Sequence, residues 1–192
     1  FVAGVDEVAL ATTLASGDDA LADLVSSLGI RCYRGSEHDV LGRFAAAADL
    51  FDADVVMRLT GDCPLLAPDV CARVLDVALA DPSIGYVSND TTSSGYPDGT
   101  DCEVFARAML RTAATDATLR ADREHVTPWL RRYLSCRTVR YHEDWRHVKL
   151  SVDFPADLAA VKRIFGYLPQ LNGLASASLA TTLAACRRLE GA

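Results

Sequence analysis

A chain of 192 residues, half of them hydrophobic and 23% charged, is long enough for one well-filled core and too short for two comfortable domains. Its formal charge of −7 and pI near 5.0 exclude a sequence-independent grip on nucleic acid, which needs a basic face to displace counterions. No window approaches the roughly 18 uninterrupted apolar residues of a membrane span and no signal-peptide pattern opens the chain, so a soluble protein of the cytoplasm is expected.

From Glu7 onward two patterns alternate, as βα units require. Glu7 to Thr12 reads as a buried strand, Ser16-Gly17-Asp18-Asp19 as the cap of a helix that runs to Leu28 and stops at Gly29. Ile30 to Tyr33 is the next strand. Glu37 to Phe51 carries Val40, Leu41, Phe44, Ala47, Ala48 and Phe51 near the helical period, so one face is expected on a sheet. Asp54 to Leu59 returns to strand, and Pro68-Asp69 opens a helix ending near Asp81-Pro82.

Tyr86 to Asn89 is a short strand leading into the turn-rich stretch Thr91 to Gly99, a loop of the kind that carries function over a sheet end. Asp101 to Phe105 reads as strand, Ala106 to Thr115 and Arg123 to Tyr133 as helices, Arg137 to His142 and Val148 to Val152 as strands. Helices over Pro155 to Tyr167 and Ser178 to Leu189 close the chain. The cysteines Cys32, Cys63, Cys71, Cys102, Cys136 and Cys186 form no C-x-x-C pair and no zinc-spaced cluster, which suits reduced thiols.

Two acids stand where strands end. Asp62 lies in Arg58-Leu59-Thr60-Gly61-Asp62-Cys63-Pro64-Leu65, directly after the apolar Val55-Val56-Met57, and Asp153 follows Val148 to Val152 at the start of a helix. Ligands and metals are handled at such ends of open α/β sheets. The pair makes a candidate Mg²⁺ site, because this ion takes one or two carboxylates and leaves its other positions to water and phosphate. Each acid also has a plain reading, Asp62 as a turn acid and Asp153 as a helix cap. Arg58 is expected to meet a phosphate or carboxylate of a ligand, or else to pair internally with Asp62 or Glu103. Tyr96, Asp101 and Glu103, around the Tyr96-Pro97-Asp98-Gly99 turn, are candidate substrate contacts, and Arg123 and His125 share the first turn of a helix. Asp52-Ala53-Asp54 looks like a D-x-D metal motif but precedes its strand, at the wrong end of the sheet.

Five segments together resemble the cytidylyltransferases of the spore-coat polysaccharide type, within the nucleotide-diphospho-sugar transferase-like fold that includes CMP-sugar synthetases. They are Arg34 to Leu41 (RGSEHDVL), Arg58 to Leu65, Tyr96 to Gly99 with Glu103-Val104-Phe105, Arg123 to Pro128 (REHVTP) and Val152 to Leu158 (VDFPADL). The resemblance implies a single α/β domain, a Rossmann-like three-layer sandwich with a mostly parallel sheet, that binds CTP and Mg²⁺. It further implies transfer of CMP to a sugar or related acceptor, with release of pyrophosphate. By matching position Asp62 and Asp153 would be the metal ligands and, with Arg58, the catalytic residues. Tyr96, Asp101, Glu103, Arg123 and His125 would face the acceptor or phosphates, and Ser36 and Asp39 would lie nearer the nucleotide.

Family members open with a strand and a basic loop of the form Q-A-R-x-x-S-x-R-L-P-G-K that holds the triphosphate, and nothing here matches it. The domain is therefore expected to be N-terminally incomplete by one βα unit, leaving open edges on Glu7 to Thr12 and Asp54 to Leu59 that would favour a homodimer. A neutral sugar, an acidic sugar and a phosphonate-like alcohol all remain open as acceptors. A metal-dependent glycosyltransferase and a non-catalytic sugar- or partner-binding protein are the competing readings.

Overall fold

The computed structural model describes residues 2–171, 174–175 and 177–190. Strand β1 (Ala9–Thr13), helix α1 (Asp19–Ser27) and strand β2 (Arg31–Gly35) form a parallel βαβ unit, with Ala9 opposite Arg31 and Thr13 opposite Gly35. Two local devices shape it. The Asp18 carboxylate accepts hydrogen bonds from the Thr12 hydroxyl at 2.6 Å, the Thr13 hydroxyl at 2.6 Å and the Thr13 N–H at 3.0 Å, tying the end of β1 to the helix start. Gly29, at φ 73°, ends α1 with its N–H on Ser26 and the next N–H on Val25, a left-handed cap that glycine adopts without steric cost.

Helix α2 (Val40–Leu50) is capped by Asp39, which accepts the Gly42 N–H at 2.9 Å. Beyond it lie β3 (Val55–Arg58), α3 (Pro68–Ala80), β4 (Tyr86–Ser88), β5 (Glu103–Ala106), α4 (Arg107–Asp116), α5 (Arg120–His125), α6 (Pro128–Tyr133) and β6 (Cys136–Thr138). Helix α7 (Pro155–Phe165), the two-residue strands β7 (Gln170–Leu171) and β8 (Leu174–Ala175) and helix α8 (Leu179–Glu190) complete the order.

A second sheet runs β3-β5-β4-β6. Its layering is written into neighbouring residues of β5, since alternate side chains of a strand face opposite ways. Phe105 joins Leu41, Ala45, Leu110, Val126 and Leu130 in the cluster under α2, α4 and α6, whereas Val104 joins Cys71, Val74, Val87 and Val139 on the α3 side. Helices thus cover both faces, the expected α/β layering.

Three expectations need correction. The sheet is not mostly parallel: β5 runs antiparallel to both β3 and β4, and only β4 with β6 is parallel. The cause is the connection, because β4 returns to β5 through a loop without the crossover helix that parallel neighbours need. Arg123 to Tyr133 is two helices, broken at Val126, since Pro128 lacks an N–H and starts a new helix at its first position. Val148 to Val152 is not a strand of either sheet; among the described residues it forms the isolated bridge of Lys149 with Asp98.

Among the described residues β1 pairs only with β2 and β3 only with β5, so each keeps one unpaired edge. None of the described helices is long and apolar enough to cross a membrane. Among the described residues no disulfide joins the cysteines.

Candidate active site

The end of β3 and the start of β5 build a cleft around one carboxylate. Arg58 and Glu103 are direct cross-strand partners, and the Arg58 guanidinium donates to Glu103. The Tyr86 hydroxyl donates to the same carboxylate at 2.6 Å from β4, and the Thr127 hydroxyl at 2.7 Å from the α5–α6 junction. Burial, and then the charge of Glu103, lifts the Tyr86 phenol above its ordinary range, so it remains a donor. Of the two readings of Arg58, the internal pair with Glu103 is the one found.

The α5–α6 junction is a tight turn with φ 71° and ψ −56° at Val126, closed by the Thr127 N–H on the His125 carbonyl at 2.8 Å. Such a γ-turn is strained for a β-branched residue. Full burial of Val126 in the core holds it, and the outcome is that Thr127 points at Glu103.

The cleft, partly open to solvent, has a volume of about 180 Å³, and its lining includes Arg58, Thr60, Asp90, Asp101, Glu103 and Arg131. Asp101 accepts the Thr91 hydroxyl at 2.8 Å and the Gly99 N–H at 3.3 Å, while burial raises its carboxyl above the usual range. Arg131 pairs with Asp90 at 3.1 Å. Fully buried Asn89 pins the loop's two ends, donating to the Thr100 carbonyl and accepting the Cys102 N–H, each at 2.7 Å.

Asp62 follows from the same chain segment as Arg58 and Thr60. The Val152 N–H donates to the Asp62 carbonyl at 2.8 Å, which places Asp153 one residue from the Asp62 turn. The 148–152 segment is itself clamped on the Tyr96-Pro97-Asp98-Gly99 turn. Asp98 exchanges backbone hydrogen bonds with Val148 at 3.1 Å and Leu150 at 2.8 Å, and its carboxylate accepts the Ser151 hydroxyl at 2.7 Å. Gly99 sits at φ 89° with its α-carbon so close to the Leu150–Ser151 peptide that a Cβ would collide with it.

Asp62 and Asp153 are both solvent-exposed. Lys149 reaches Asp153 and Asp157 at 2.6 Å each, and these hydrogen bonds, Asp153 first, hold its ammonium above the usual lysine range. Asp157 also accepts the N–H groups of Asp153 at 3.0 Å and Phe154 at 2.9 Å, capping α7. Among the described residues no group of three or more His, Cys, Asp and Glu side chains is gathered to hold a metal. Two exposed carboxylates completed by water and phosphate oxygens nonetheless suit a hard cation of the Mg²⁺ kind.

The remaining expected residues fall elsewhere. Asp39 pairs with Arg123, Ser36 accepts the Asp39 N–H at 3.0 Å, and Arg123 donates to the Ala114 carbonyl at 2.5 Å, so these three join α2 to α5 and none lines the cleft. Burial raises the Asp39 carboxyl, but the Arg123 and Gly42 hydrogen bonds outweigh it and leave the group below its ordinary range. His125 is exposed at the end of α5. Tyr96, expected at the substrate, is 1% exposed and packs in the core against the Tyr141 ring at 5.1 Å. Asp52 of the discounted D-x-D pairs with Arg107 at 2.8 Å.

The cytidylyltransferase family model matches residues 2–163. The chain belongs to the cytidylyltransferase family. Over 126 residues it is 36% identical to an uncharacterized protein of Methanocaldococcus jannaschii, which takes in 66% of this chain and 50% of that protein, so it spans half that relative's length. Over 184 residues it is 27% identical to the spore coat polysaccharide biosynthesis protein SpsF of Bacillus subtilis, 93% of this chain and 75% of SpsF. A solved cytidylyltransferase from Leptospira borgpetersenii shares the fold with a TM-score of 0.82 at 22% identity, over 93% of this chain and 74% of that one. CMP:2-keto-3-deoxy-manno-octonic acid synthetase, solved with CTP, does so with a TM-score of 0.63 at 17% identity, over 86% and 83%.

The site contains residues that the sequence reading passed over: Tyr86, Asp90, Thr127, Arg131 and Lys149. Thr127 and Arg131 lie in or beside the REHVTP segment, where the Val-x-Pro break was a readable signal. Lys149 stands four residues before Asp153 and eight before Asp157, a spacing with no meaning until the segment is seen to turn into a helix.

Proposed function

We propose that this chain is a magnesium-dependent cytidylyltransferase that moves CMP from CTP to a sugar or related acceptor and releases pyrophosphate, in cell-surface polysaccharide or glycoconjugate biosynthesis. The observation that carries the reading is the Val152 N–H to Asp62 carbonyl hydrogen bond of 2.8 Å, which joins the backbone segments that carry two exposed acids, Asp62 and Asp153. Family membership, the polysaccharide role in the name of SpsF and the CTP in one structural neighbour support it.

In this reading Asp62 and Asp153 hold Mg²⁺, which when bound offsets charge on the phosphate oxygens. The cleft positions the acceptor: Asp101 accepts a hydrogen bond from an acceptor hydroxyl, and the Glu103 hub fixes Arg58, Tyr86 and Thr127 around it. The hydroxyl oxygen forms the new bond to the α-phosphorus, the bond to the departing pyrophosphate breaks, and the hydroxyl proton leaves to a cleft carboxylate or water. Positioning and electrostatics do most of the work, and no covalent nucleophile is needed.

A thermal-shift series of the 192-residue chain with CTP, UTP, GTP or ATP, each with and without Mg²⁺, tests this reading. A ligand at about 100 times its dissociation constant adds about 2.7 kcal/mol, well within reach of a melting curve. The expected result is a rise selective for CTP that needs Mg²⁺; no rise with any nucleotide would overturn it.

A further inference from the structure

Of the 19 basic residues in this chain only Lys149 and Lys162 are lysines. Lys149 stands four residues before Asp153, and its ammonium lies 2.6 Å from the Asp153 carboxylate and 2.6 Å from that of Asp157. Its backbone is fixed. The bridge to Asp98, with the Asp98 hydrogen bonds to Val148 and Leu150, anchors the stem, so a change of partner falls to the side chain alone.

The two carboxylates are held unequally. Asp157 also accepts the N–H groups of Asp153 and Phe154 at the start of α7, and its side chain is 19% exposed, so it keeps its place whatever Lys149 does. The Asp153 side chain is 50% exposed, and among the described residues Lys149 is its partner. Water screens such a pair, and parting it costs little. An ammonium that leaves Asp153 keeps Asp157 as its counter-charge, so no buried charge is stranded. The residue type fits this exchange: an ammonium is a compact point charge with three rotatable donors, whereas a guanidinium would fork across both carboxylates. A divalent cation arriving at Asp153 repels the ammonium, and the donors thereby freed face the anionic oxygens that accompany the cation. For a hard cation of the Mg²⁺ kind those are phosphate oxygens.

We infer that Lys149 is an exchangeable counter-ion of Asp153: its ammonium leaves that carboxylate when a divalent cation binds there, stays on Asp157 and donates to a phosphate group held by the cation. Lys149 thereby couples cation binding to phosphate binding. The inference rests on Asp62 and Asp153 being the cation site of the proposed transferase. The test is the ¹H–¹⁵N NMR spectrum of the lysine ammonium groups in the nucleotide-free chain, whose two lysines are assigned by Lys149→Arg or, independently, Lys162→Arg. Mg²⁺ is titrated first and inorganic pyrophosphate second. The expected result is that the Lys149 ammonium signal moves with Mg²⁺ along the same binding curve as the Asp153 amide and moves again with pyrophosphate, while the Lys162 signal stays. An Asp153 amide that responds to Mg²⁺ beside a stationary Lys149 ammonium would overturn the inference and leave the cation site standing. A Lys149 signal that ignores pyrophosphate at saturating Mg²⁺ would overturn the coupling, and no response of either group to Mg²⁺ would overturn the cation site as well.

The Lys149→Arg variant sharpens the test, because a forked guanidinium is expected to hold Asp153 and lower Mn²⁺ affinity about three-fold in the nucleotide-free chain. Unchanged or tighter binding by a folded Lys149→Arg would overturn the exchange argument. The wild-type titration stands even if that variant does not fold. A CTP-selective thermal shift beside a stationary Lys149 signal removes this inference alone, and a Lys149 response without a CTP response removes the nucleotide reading alone.

Discussion

Glu103 in the cleft is 13% exposed and accepts hydrogen bonds from Arg58, Tyr86 and Thr127, whereas Asp62 and Asp153, carried by adjoining segments, stand in solvent. Among the described residues the Asp153 side chain meets the exposed ammonium of Lys149, and the Asp62 side chain the Cys63 thiol at 3.7 Å. A buried, fully paired carboxylate is part of the frame, since removing any partner strands a charge in low dielectric. An exposed carboxylate with one weak partner can change partners at little cost. The difference separates the residues that shape this site from those free to bind within it.

The strongest way to break that comparison is Arg58→Met. It is expected to destabilise the fold by about 3 kcal/mol through the uncompensated Glu103 charge, measured as a shift of the urea unfolding midpoint. A loss below about 1 kcal/mol would class the pair with screened surface bridges. Gly99→Ala comes next, at about 2 kcal/mol, because its φ of 89° and its approach to the Leu150–Ser151 peptide both oppose a side chain. The same substitution should shift the 148–152 amide signals, because Gly99 is the joint between the two regions.

Lys149→Met should leave the melting temperature nearly unchanged, because solvent screens an exposed ion pair. Freed of its ammonium, Asp153 is expected to bind Mn²⁺ about five-fold more tightly in the nucleotide-free chain, read by electron paramagnetic resonance. Weaker binding would instead make Lys149 a support for the carboxylate.

The smallest effect concerns Asp18, outside both regions. The Thr12 hydroxyl, then the hydroxyl and N–H of Thr13, lower its carboxyl from 3.8 to about 2. A folded value below the unfolded one means that its contribution is present above pH 3.8 and is lost as the pH falls through about 2. Melting temperature against pH should therefore fall less steeply over that window in Asp18→Asn than in the wild type.

The frame and the free residues were legible to different degrees. Asp62 and Asp153 stand out in the sequence because each ends an apolar run, a signal that survives even though Val148 to Val152 is only a bridged segment. The Arg58–Glu103 pair was one of two readings, and only the antiparallel register of β3 and β5 decides it. That register was hidden, since a turn-rich loop states nothing about the direction in which the chain returns. Tyr96 reads as a loop residue beside Pro97, and its inward packing depends on Tyr141 and Trp145, far along the chain. Asp39 and Arg123 were singled out singly, while their pairing joins helices that share no local pattern.

The most direct test of the central claim, that Asp62 is an open cation-binding carboxylate and not part of the frame, is calorimetric titration of CTP with Mg²⁺ into the wild-type chain and Asp62→Asn. Mg²⁺-dependent binding in the wild type, lost in a variant whose melting temperature is unchanged, is the predicted result. Equal binding by the two chains would contradict it.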